Sequence, residues 1–330
     1  FLSARIVIGI CLAMALVRAQ SDSTEPLPVD SLPTQAGSAE FTDMDVPYET
    51  PPAPEPVALS RPSRLSDRVH AQDRAIRKQG AKRSKPKRGK PRRGVQPGKV
   101  AIQAGCFQMG SAGDAGPENE RPRHEVCLGS FQIDRLPVLE SEFEQATGNA
   151  PWSLCNGAVC SNPHPDLPAW YVTWNEADSF CRARGGRLPT EAEFEYAARA
   201  GDTSEYIWGD TLAQACEYAN FADLSLLDML PGWSAFPCKD GHALIATAGG
   251  RKPNRWGLYD MAGNVWQWTA DWYAEDWYAR SPKQDPTGPT DGTGKVMRGG
   301  SWLNGPTGAR AAYRDGFHPD ERYSGAIGFR

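Results

Sequence analysis

The sequence predicts a loop-rich α+β domain preceded by a long segment that does not fold. Its 330 residues include 33 glycines, 28 prolines and 11 tryptophans, a composition that favours irregular chain over a helical bundle. Short stretches of alternating apolar residues indicate strands, and a few stretches have helical spacing. An apolar fraction of 40% is enough for a sizeable core. We therefore expect one folded domain over residues 100–330.

The first 60 residues divide into two segments. Arg5 followed by the apolar run 6–17 is typical of a secretory signal, and Val-Arg-Ala at 17–19 resembles a cleavage site. We therefore assign residues 1–19 to a signal peptide and expect a secreted, periplasmic or cell-envelope protein. An uncleaved anchor and a lipoprotein modified at Cys11 are the alternatives. Residues 20–60 are rich in proline and acid and predict a disordered leader.

Residues 61–99 form a polybasic linker that carries fifteen basic and two acidic side chains. Proline and glycine interrupt any helix, and no aromatic residue offers base stacking, so nucleic acid is not the expected partner. In a secreted protein this charge favours binding to an anionic surface such as envelope glycans or lipid head groups. A solvated spacer, extended by its own charge, is the alternative.

The folded part begins near Lys99, and periodicity predicts its regular elements. Strands are predicted at residues 100–102, 106–110, 131–134, 257–259, 295–298 and 325–330, and a charged loop at 118–124. Helices are predicted over 140–147, 175–184 and 190–201. Thr190 and Glu193 form a capping box at the start of the last helix. We expect Glu191 and Glu195 in that helix to be surface charges or members of core ion pairs.

Secretion would place the cysteines in an oxidising compartment, where they pair. The pairs that spacing favours are Cys106 with Cys127, Cys155 with Cys160, and Cys216 with Cys238. Spacing alone does not fix connectivity. Cys181 is left over on a helical stretch, and it is either a buried free thiol or has a partner beyond Arg330.

The stretch GLYDMAGNVWQWT at residues 257–269 mixes glycines, polar residues and large aromatics. Its polar residues Asp260, Asn264 and Gln267 stand among bulky apolar ones. A buried irregular loop must satisfy its carbonyl groups. A hard cation held by carbonyl oxygens and by the side chains of Asp260 and Gln267 would do so. The alternative is a turn held by hydrogen bonds alone.

Four stretches in this order resemble the formylglycine-generating enzyme (sulfatase-modifying factor) family. They are GGRLPTEAEFEYAAR at 185–199, GLYDMAGNVWQWT at 257–269, RGGSW at 298–302 and GFR at 328–330. The resemblance covers residues 100–330 and implies the family's loop-rich α+β fold, which is similar to that of C-type lectins. It also implies descent from oxidoreductases that convert a cysteine of another protein to formylglycine.

The resemblance further implies two calcium sites. The first would use Asn220 and Asp240 by side chain, with Phe221 and His242 by carbonyl. The second would use Asp260 and Gln267 by side chain, with Gly263 and Val265 by carbonyl. Gln267 stands where the family usually has Glu, and Asp260 stands where Asn is common, so the total ligand charge is kept.

The catalytic members of the family hold copper(I) on two cysteines that follow the Arg-Gly-Gly-Ser motif. Here the first of these positions is Asn304, the second falls at or near Ala309, and no cysteine follows Cys238. An amide cannot replace a thiolate as a ligand for this soft ion, so copper is not expected. Trp266 and Ser301 match positions that line the family's active pocket, and with Asn304 they are the pocket candidates.

Three interpretations follow. The leading one is a secreted, calcium-stabilised, monomeric binding or accessory module whose aromatic cleft takes a peptide or glycan. The second is an oxidoreductase that generates formylglycine with a different metal arrangement, or does related oxidation chemistry in the same pocket. The third is a structural envelope protein in which the fold is only a scaffold, because fold alone does not fix function.

Overall fold

The computed structural model describes residues 95–113, 116–153, 164–227, 230–322 and 326–330 of the chain. The expected signal peptide, the leader, residues 61–94 of the polybasic linker and the Cys155–Cys160 pair lie outside these residues. Among the helices that can be described, none is both long enough and apolar enough to cross a membrane.

Short strands and short helices alternate with long irregular segments. The strands are β1 (Lys99–Ile102), β2 (Gly105–Met109), β3 (His124–Leu128), β4 (Phe131–Asp134), β5 (Trp266–Trp272), β6 (Lys295–Arg298), β7 (Arg314–Phe317) and β8 (Ile327–Gly328). The α-helices are α1 (Glu140–Thr147), α2 (Trp174–Ala183), α3 (Glu191–Arg199), α4 (Ala215–Tyr218) and α5 (Leu224–Leu227). This is the loop-rich α+β architecture that the sequence predicts.

The strands form two hairpin-like pairs and one larger sheet. β1 pairs with β4 and β2 with β3, both antiparallel. The larger sheet has the order β7-β6-β5-β8, in which β5 is antiparallel to β6 and parallel to β8. The motifs at 257–269 and 298–302 are therefore brought together, and the N–H of Gly263 donates to the carbonyl of Gly299 at 2.8 Å.

Most predicted elements are confirmed, with ends that shift by a residue or two. The predicted strand at 257–259 is wrong, because Asn254 closes a turn there. The Asn254 N–H donates to the Leu258 carbonyl (2.9 Å), and Asn254 Oδ1 accepts from the Leu258 N–H (3.1 Å). The predicted strand at 325–330 is shortened to β8. The predicted loop at 118–124 contains a 3₁₀ turn at Glu118–Glu120 and the first residue of β3.

β3, β5 and β7 were not predicted. β5 alternates apolar and polar residues as a strand does, but its first four residues lie in the stretch 257–269, which was interpreted as an irregular loop. β7 has the sequence RDGF, which contains residues that strands usually avoid.

Two of the expected disulfides are present. Cys106 bonds to Cys127 and Cys216 bonds to Cys238. Cys106 and Cys127 face each other across the antiparallel pair β2 and β3. Cys181 is a buried free thiol, as one alternative predicted, and burial raises its pKa to about 12.

Three apolar clusters form the core. In the first, Phe143 of α1 stacks on Phe180 of α2 with ring centroids 5.5 Å apart, and Phe329 meets both edge-on. The second packs α3 against the four N-terminal strands. The third gathers the aromatic rings of residues 206–236. The three clusters are separate, and they include apolar residues from the irregular segments as well as from helices and strands.

Helix α3 lies between the sheets, and all nine of its residues are buried. Its capping box is confirmed: Thr190 Oγ1 accepts from the Glu193 N–H at 3.1 Å, and Glu193 Oε2 accepts from the Thr190 N–H at 2.8 Å. A helix this deeply buried places carboxylates in the interior, and buried charges require partners.

Those partners are arginines from distant parts of the chain. Arg314 donates through Nε to Glu191 Oε1 (2.6 Å) and through Nη2 to Glu191 Oε2 (2.8 Å). Glu195 Oε1 accepts from Arg199 Nε at 2.9 Å, and its Oε2 accepts from Arg298 Nη2. Both carboxylates therefore belong to core ion pairs, which was one of the two expectations. We call Glu191, Glu195, Arg298 and Arg314 the buried ion network.

Asp271 of β5 adjoins this network, and its Oδ2 accepts from the Glu191 N–H at 2.8 Å. Burial and the neighbouring Glu191 carboxylate raise the pKa of Asp271 to about 8. The folded state therefore binds this proton more tightly than the unfolded state does. The contribution of protonated Asp271 to the free energy of unfolding is complete below its unfolded pKa of 3.8, and it is lost as the pH rises towards 8.

We predict that Asp271→Asn removes a downward slope in stability between about pH 4 and pH 8. In the wild-type protein this group alone contributes a slope of up to about 1.4 kcal/mol per pH unit. Urea unfolding across this pH range measures it. A variant whose stability varies with pH as steeply as that of the wild type would contradict the assignment.

Candidate functional site

The first predicted calcium site lies between two irregular segments beside the Cys216–Cys238 disulfide. Asn220 is buried, and its Nδ2 donates to the Leu244 carbonyl at 2.8 Å. Its Oδ1 has no hydrogen-bond partner among the described residues. The same is true of Asp240 Oδ2. Two buried oxygens thus lack a hydrogen bond, and they belong to the two side chains that the family resemblance assigned as ligands.

Arg251 is the positive group nearest to this site. Its Nη2 lies 3.0 Å from Asp240 Oδ2, an ion pair whose geometry is not that of a hydrogen bond. Burial raises the pKa of the Asp240 carboxyl to about 6, and Arg251 opposes that effect. Asp240 Oδ1 accepts from the N–H of His242 at 2.7 Å, which fixes the turn that would present the His242 carbonyl.

Asp223 organises the same site and had no assigned role. Its carboxylate is buried, accepts from the Asp240 N–H, and accepts from the Ser225 N–H at 2.7 Å. The sequence signal that could have pointed to Asp223 is its position three residues after Asn220. A group of three or more His, Cys, Asp or Glu residues arranged for a metal ion is absent from the described ranges. A cation here would therefore depend on amide and carbonyl oxygens as well as on Asp240, which is a donor set that suits calcium.

The second predicted site is built differently. Gln267 Nε2 donates to the Asp260 carbonyl at 2.6 Å, and Gln267 Oε1 accepts from Arg330 Nε at 2.6 Å. The Asp260 carboxylate accepts from the Gly249 N–H at 2.6 Å. Arg330 Nη2 also donates to the carbonyls of Tyr259 and Asp260. Burial lowers the pKa of Arg330 to about 10, so its side chain is still charged at neutral pH.

The side chains of this second site thus have partners within the protein, and Arg330 supplies a positive charge among its carbonyl oxygens. The geometry favours the alternative of a turn held by hydrogen bonds. Arg330 belongs to the GFR motif, but its approach to Gln267 joins residues 63 positions apart and could not be read from spacing.

Gly263 and Asn264 connect the two sites. Gly263 has φ +73°, and a Cβ there would lie 2.5 Å from the Asn220 carbonyl oxygen, so this position requires glycine. The Asn264 N–H donates to that same carbonyl at 2.7 Å, and its side chain exchanges two 2.9 Å hydrogen bonds with the backbone of Ala246. Val265 beside them is fully buried. The backbone around Asn220 and the turn at 260–264 is therefore one packed unit.

Two of the pocket candidates, Ser301 and Asn304, lie in the loop that follows β6, and the third, Trp266, begins β5. Asn304 Oδ1 accepts from the Ser301 N–H at 2.9 Å and from Ser301 Oγ at 3.0 Å. The Asn304 side chain also packs against Gly308, where a Cβ would lie 2.8 Å from Nδ2. The amide at the first copper position is thus part of the loop's own hydrogen bonding.

The second copper position is buried as well. Ala309 ends a 3₁₀ turn, Pro306–Ala309, and packs in the third apolar cluster. Trp266 is buried beneath the loop, with its ring centroid 5.7 Å from that of Tyr313. Cys181 is the free thiol of the described chain, and its raised pKa keeps it protonated at neutral pH. The described side chains therefore provide no pair of thiolates for copper(I).

The comparisons with known proteins agree with this architecture. The family model described as a sulfatase-modifying factor enzyme 1-like domain matches residues 85–330. The chain therefore belongs to this family.

Individual relatives differ in their activity. The formylglycine-generating enzyme of Streptomyces coelicolor is 34% identical over 288 residues, which cover 71% of this chain and 88% of the enzyme. The inactive C-alpha-formylglycine-generating enzyme 2 of Mus musculus is 29% identical over 284 residues, covering 71% of this chain and 85% of the relative. The structure of PvdO from Pseudomonas aeruginosa aligns with a TM-score of 0.58 at 25% identity, over 70% of this chain and 92% of PvdO.

We predict that Asn304→Ala destabilises the protein by about 1–3 kcal/mol, because two donors of Ser301 lose their acceptor in a largely buried loop. Asn304→Asp keeps the oxygen acceptor and is the matched control, with a smaller loss. Urea unfolding of the three proteins measures the effect. An unchanged midpoint for Asn304→Ala would show that this amide does not hold the loop.

Proposed function

We propose that this protein is a non-catalytic member of its family, a secreted binding or accessory module stabilised by calcium. The observation that carries the proposal is the loop after β6, where Asn304 and Ala309 stand at the two copper positions and the Asn304 amide is bonded to Ser301. Loss of the thiolate pair removes the ligands for copper(I) while the loop itself remains ordered. A relative that is named inactive supports the possibility of such members.

The proposed ligand of the cleft is a peptide or a glycan. Trp302 follows Ser301, is half-buried, and its Nε1 has no hydrogen-bond partner among the described residues. An indole N–H that lacks an acceptor can donate to a carbonyl or hydroxyl oxygen, which both ligand classes offer. The module is proposed to act as a monomer.

A catalytic role is the second candidate. The observation that favours it is the 34% identity to the Streptomyces coelicolor enzyme, together with the presence of Trp266 and Ser301 at pocket positions. Under this candidate, the chain oxidises a cysteine of another protein with a metal arrangement that the two copper positions do not provide.

We predict that the full-length protein, given copper(I), oxygen and a peptide with the pattern Cys-x-Pro-x-Arg, does not convert the cysteine to an aldehyde. Mass spectrometry of the peptide and copper analysis after desalting measure both outcomes. The Streptomyces coelicolor enzyme is the positive control. Aldehyde formation above the level of a no-enzyme reaction would overturn the non-catalytic proposal in favour of the second candidate.

The calcium part of the proposal rests on the first site, where Asn220 Oδ1 accepts no hydrogen bond from a described residue and Asp240 Oδ2 is paired with Arg251 without a hydrogen bond. Asn220 and Asp240 would hold the ion by side chain, and Phe221 and His242 by carbonyl. Because the Gln267 side chain of the second site already has protein partners, we propose one tightly bound calcium per chain. The ion would join two irregular segments and neutralise the Asp240 carboxylate.

We predict that calcium raises the melting temperature and that a chelator lowers it. At a calcium concentration 100 times the Kd, binding adds about 2.7 kcal/mol to the free energy of unfolding. Asp240→Asn should lose most of this effect, whereas Asp291→Asn, an exposed carboxylate outside the site, should keep it. An unchanged melting temperature of the wild type on chelation would contradict the calcium assignment.

The polybasic linker is proposed to hold the module on an anionic surface in the cell envelope or outside the cell. Deleting residues 61–93 stops short of β1, which begins at Lys99. The shortened protein should elute from an anionic matrix at lower salt than the full chain. Equal elution of the two proteins would support the solvated-spacer alternative.

A further inference from the structure

The Cys216–Cys238 disulfide lies immediately beside the first cation site. Asn220 follows Cys216 by four residues, and Asp240 follows Cys238 by two. The bond closes a segment of sequence separation 22 with the two Cα atoms 6.1 Å apart. Each proposed side-chain ligand therefore lies within four residues of one of the two bonded cysteines.

The segment closed by this bond contains little regular structure. Its helical turns are the end of α4 and the four residues of α5. Its two arms are joined by the N–H of Leu224 to the Cys238 carbonyl (3.0 Å), by the N–H of Phe236 to the Ala222 carbonyl (2.8 Å), by the Asp240 N–H to the Asp223 carboxylate and by the Gly241 N–H to Ser225 Oγ (3.0 Å). The disulfide is the covalent link among these contacts, and it limits how far Asn220 and Asp240 can separate.

Arg251 is a second tether across the same two arms. Its Nη1 donates to the Cys216 carbonyl at 3.2 Å, and its Nη2 donates to the Asp240 carbonyl at 2.9 Å. The disulfide and Arg251 thus hold the same pair of segments, and each depends on the position that the other fixes. Breaking the S–S bond would leave hydrogen bonds alone, those of Arg251 and those between the arms, to hold this end together.

A reductant can approach this disulfide. Both cysteines are partly exposed, and Cys216 lines an open cavity of about 630 Å³ together with Glu217 and residues 249–253. The other described disulfide, Cys106–Cys127, is also partly exposed but joins β2 to β3, which carry none of the proposed ligands.

We propose that the Cys216–Cys238 disulfide preorganises the first site, so that calcium affinity depends on the redox state of this bond. The inference rests on the calcium role proposed above. A dithiol reductant breaks the S–S bond by supplying two electrons and two protons, which gives two cysteine thiols and the cyclic disulfide of the reductant. The arms then separate, and the two ligand oxygens are no longer held at binding distance.

Linkage makes the effect reciprocal. If oxidation of the pair raises calcium affinity by some factor, calcium raises the equilibrium constant for oxidation of the pair by the same factor. Loss of structures that orient metal ligands commonly costs about 10–100-fold in affinity, and a loss of this size is expected here.

The test compares three full-length proteins: the oxidised wild type, Cys216→Ser with Cys238→Ser, and the matched control Cys106→Ser with Cys127→Ser. Isothermal titration with calcium should give a Kd about 10–100-fold weaker for the first double variant and near that of the wild type for the control. Equal affinity of all three proteins would overturn the inference and leave the calcium role standing. Absence of calcium binding by the oxidised wild type would overturn both.

A second measurement avoids the case in which a double variant fails to fold. The wild type is treated with graded dithiol in the presence and absence of calcium, and free thiols are alkylated and quantified by mass spectrometry. Calcium should shift reduction of Cys216–Cys238 to stronger reductant and leave that of Cys106–Cys127 in place. Calcium that protects neither bond, or both equally, would contradict the coupling.

Discussion

The buried ion network around helix α3 is the interaction on which the rest of the structure depends. Glu191 is held by Arg314 of β7, and Glu195 by Arg298 of β6, all with little or no solvent contact. A buried pair contributes little net stability compared with apolar residues of the same shape, but loss of one partner leaves an unpaired interior charge. The network therefore fixes how the sheet meets the helix. The loop after β6, which contains the copper positions, starts from Arg298 itself.

At the candidate site, hydrogen bonds within the protein stand where a metal would be bound in other family members. Catalytic members of the family are expected to hold copper with thiolates. Here the side-chain oxygen of Asn304 instead accepts two hydrogen bonds from Ser301 and keeps the loop closed. At the second cation site the guanidinium of Arg330 donates to Gln267 and to backbone carbonyls. At the first site, by contrast, neither Asn220 Oδ1 nor Asp240 Oδ2 accepts a hydrogen bond from a described residue. One scaffold thus contains positions satisfied internally and one position that still suits an external cation.

Sequence reasoning was most successful where a local rule decides the outcome. The capping box at Thr190 and the helical spacing of Phe180 depend on residues a few positions apart, and the structure has both. It failed at 257–259 because Asn254, outside the apparent strand, closes a turn over it. It missed β5 because the stretch 257–269 was interpreted as one irregular loop, although residues 266–272 alternate between apolar and polar types. Asn220 and Asp240 stay predicted ligands, and the sequence assigned no role to Asp223, Arg251 or Arg330, whose contacts reach residues distant in the chain.

The sequence by itself indicated the family, the α+β class, the three longer helices and the absence of cysteine at the copper positions, because these follow from residue identity and short spacing. It favoured the two described disulfide pairs, and the structure decided between the possible pairings. Only the tertiary structure decided which polar groups are satisfied. Glu191 and Glu195 could equally have been surface charges, and Gln267 could have been a free ligand. Their partners come from Arg314, Arg298 and Arg330, which are distant in sequence. Hydrogen bonding and charge pairing in the interior depend on spatial proximity, and chain topology, rather than local pattern, creates that proximity.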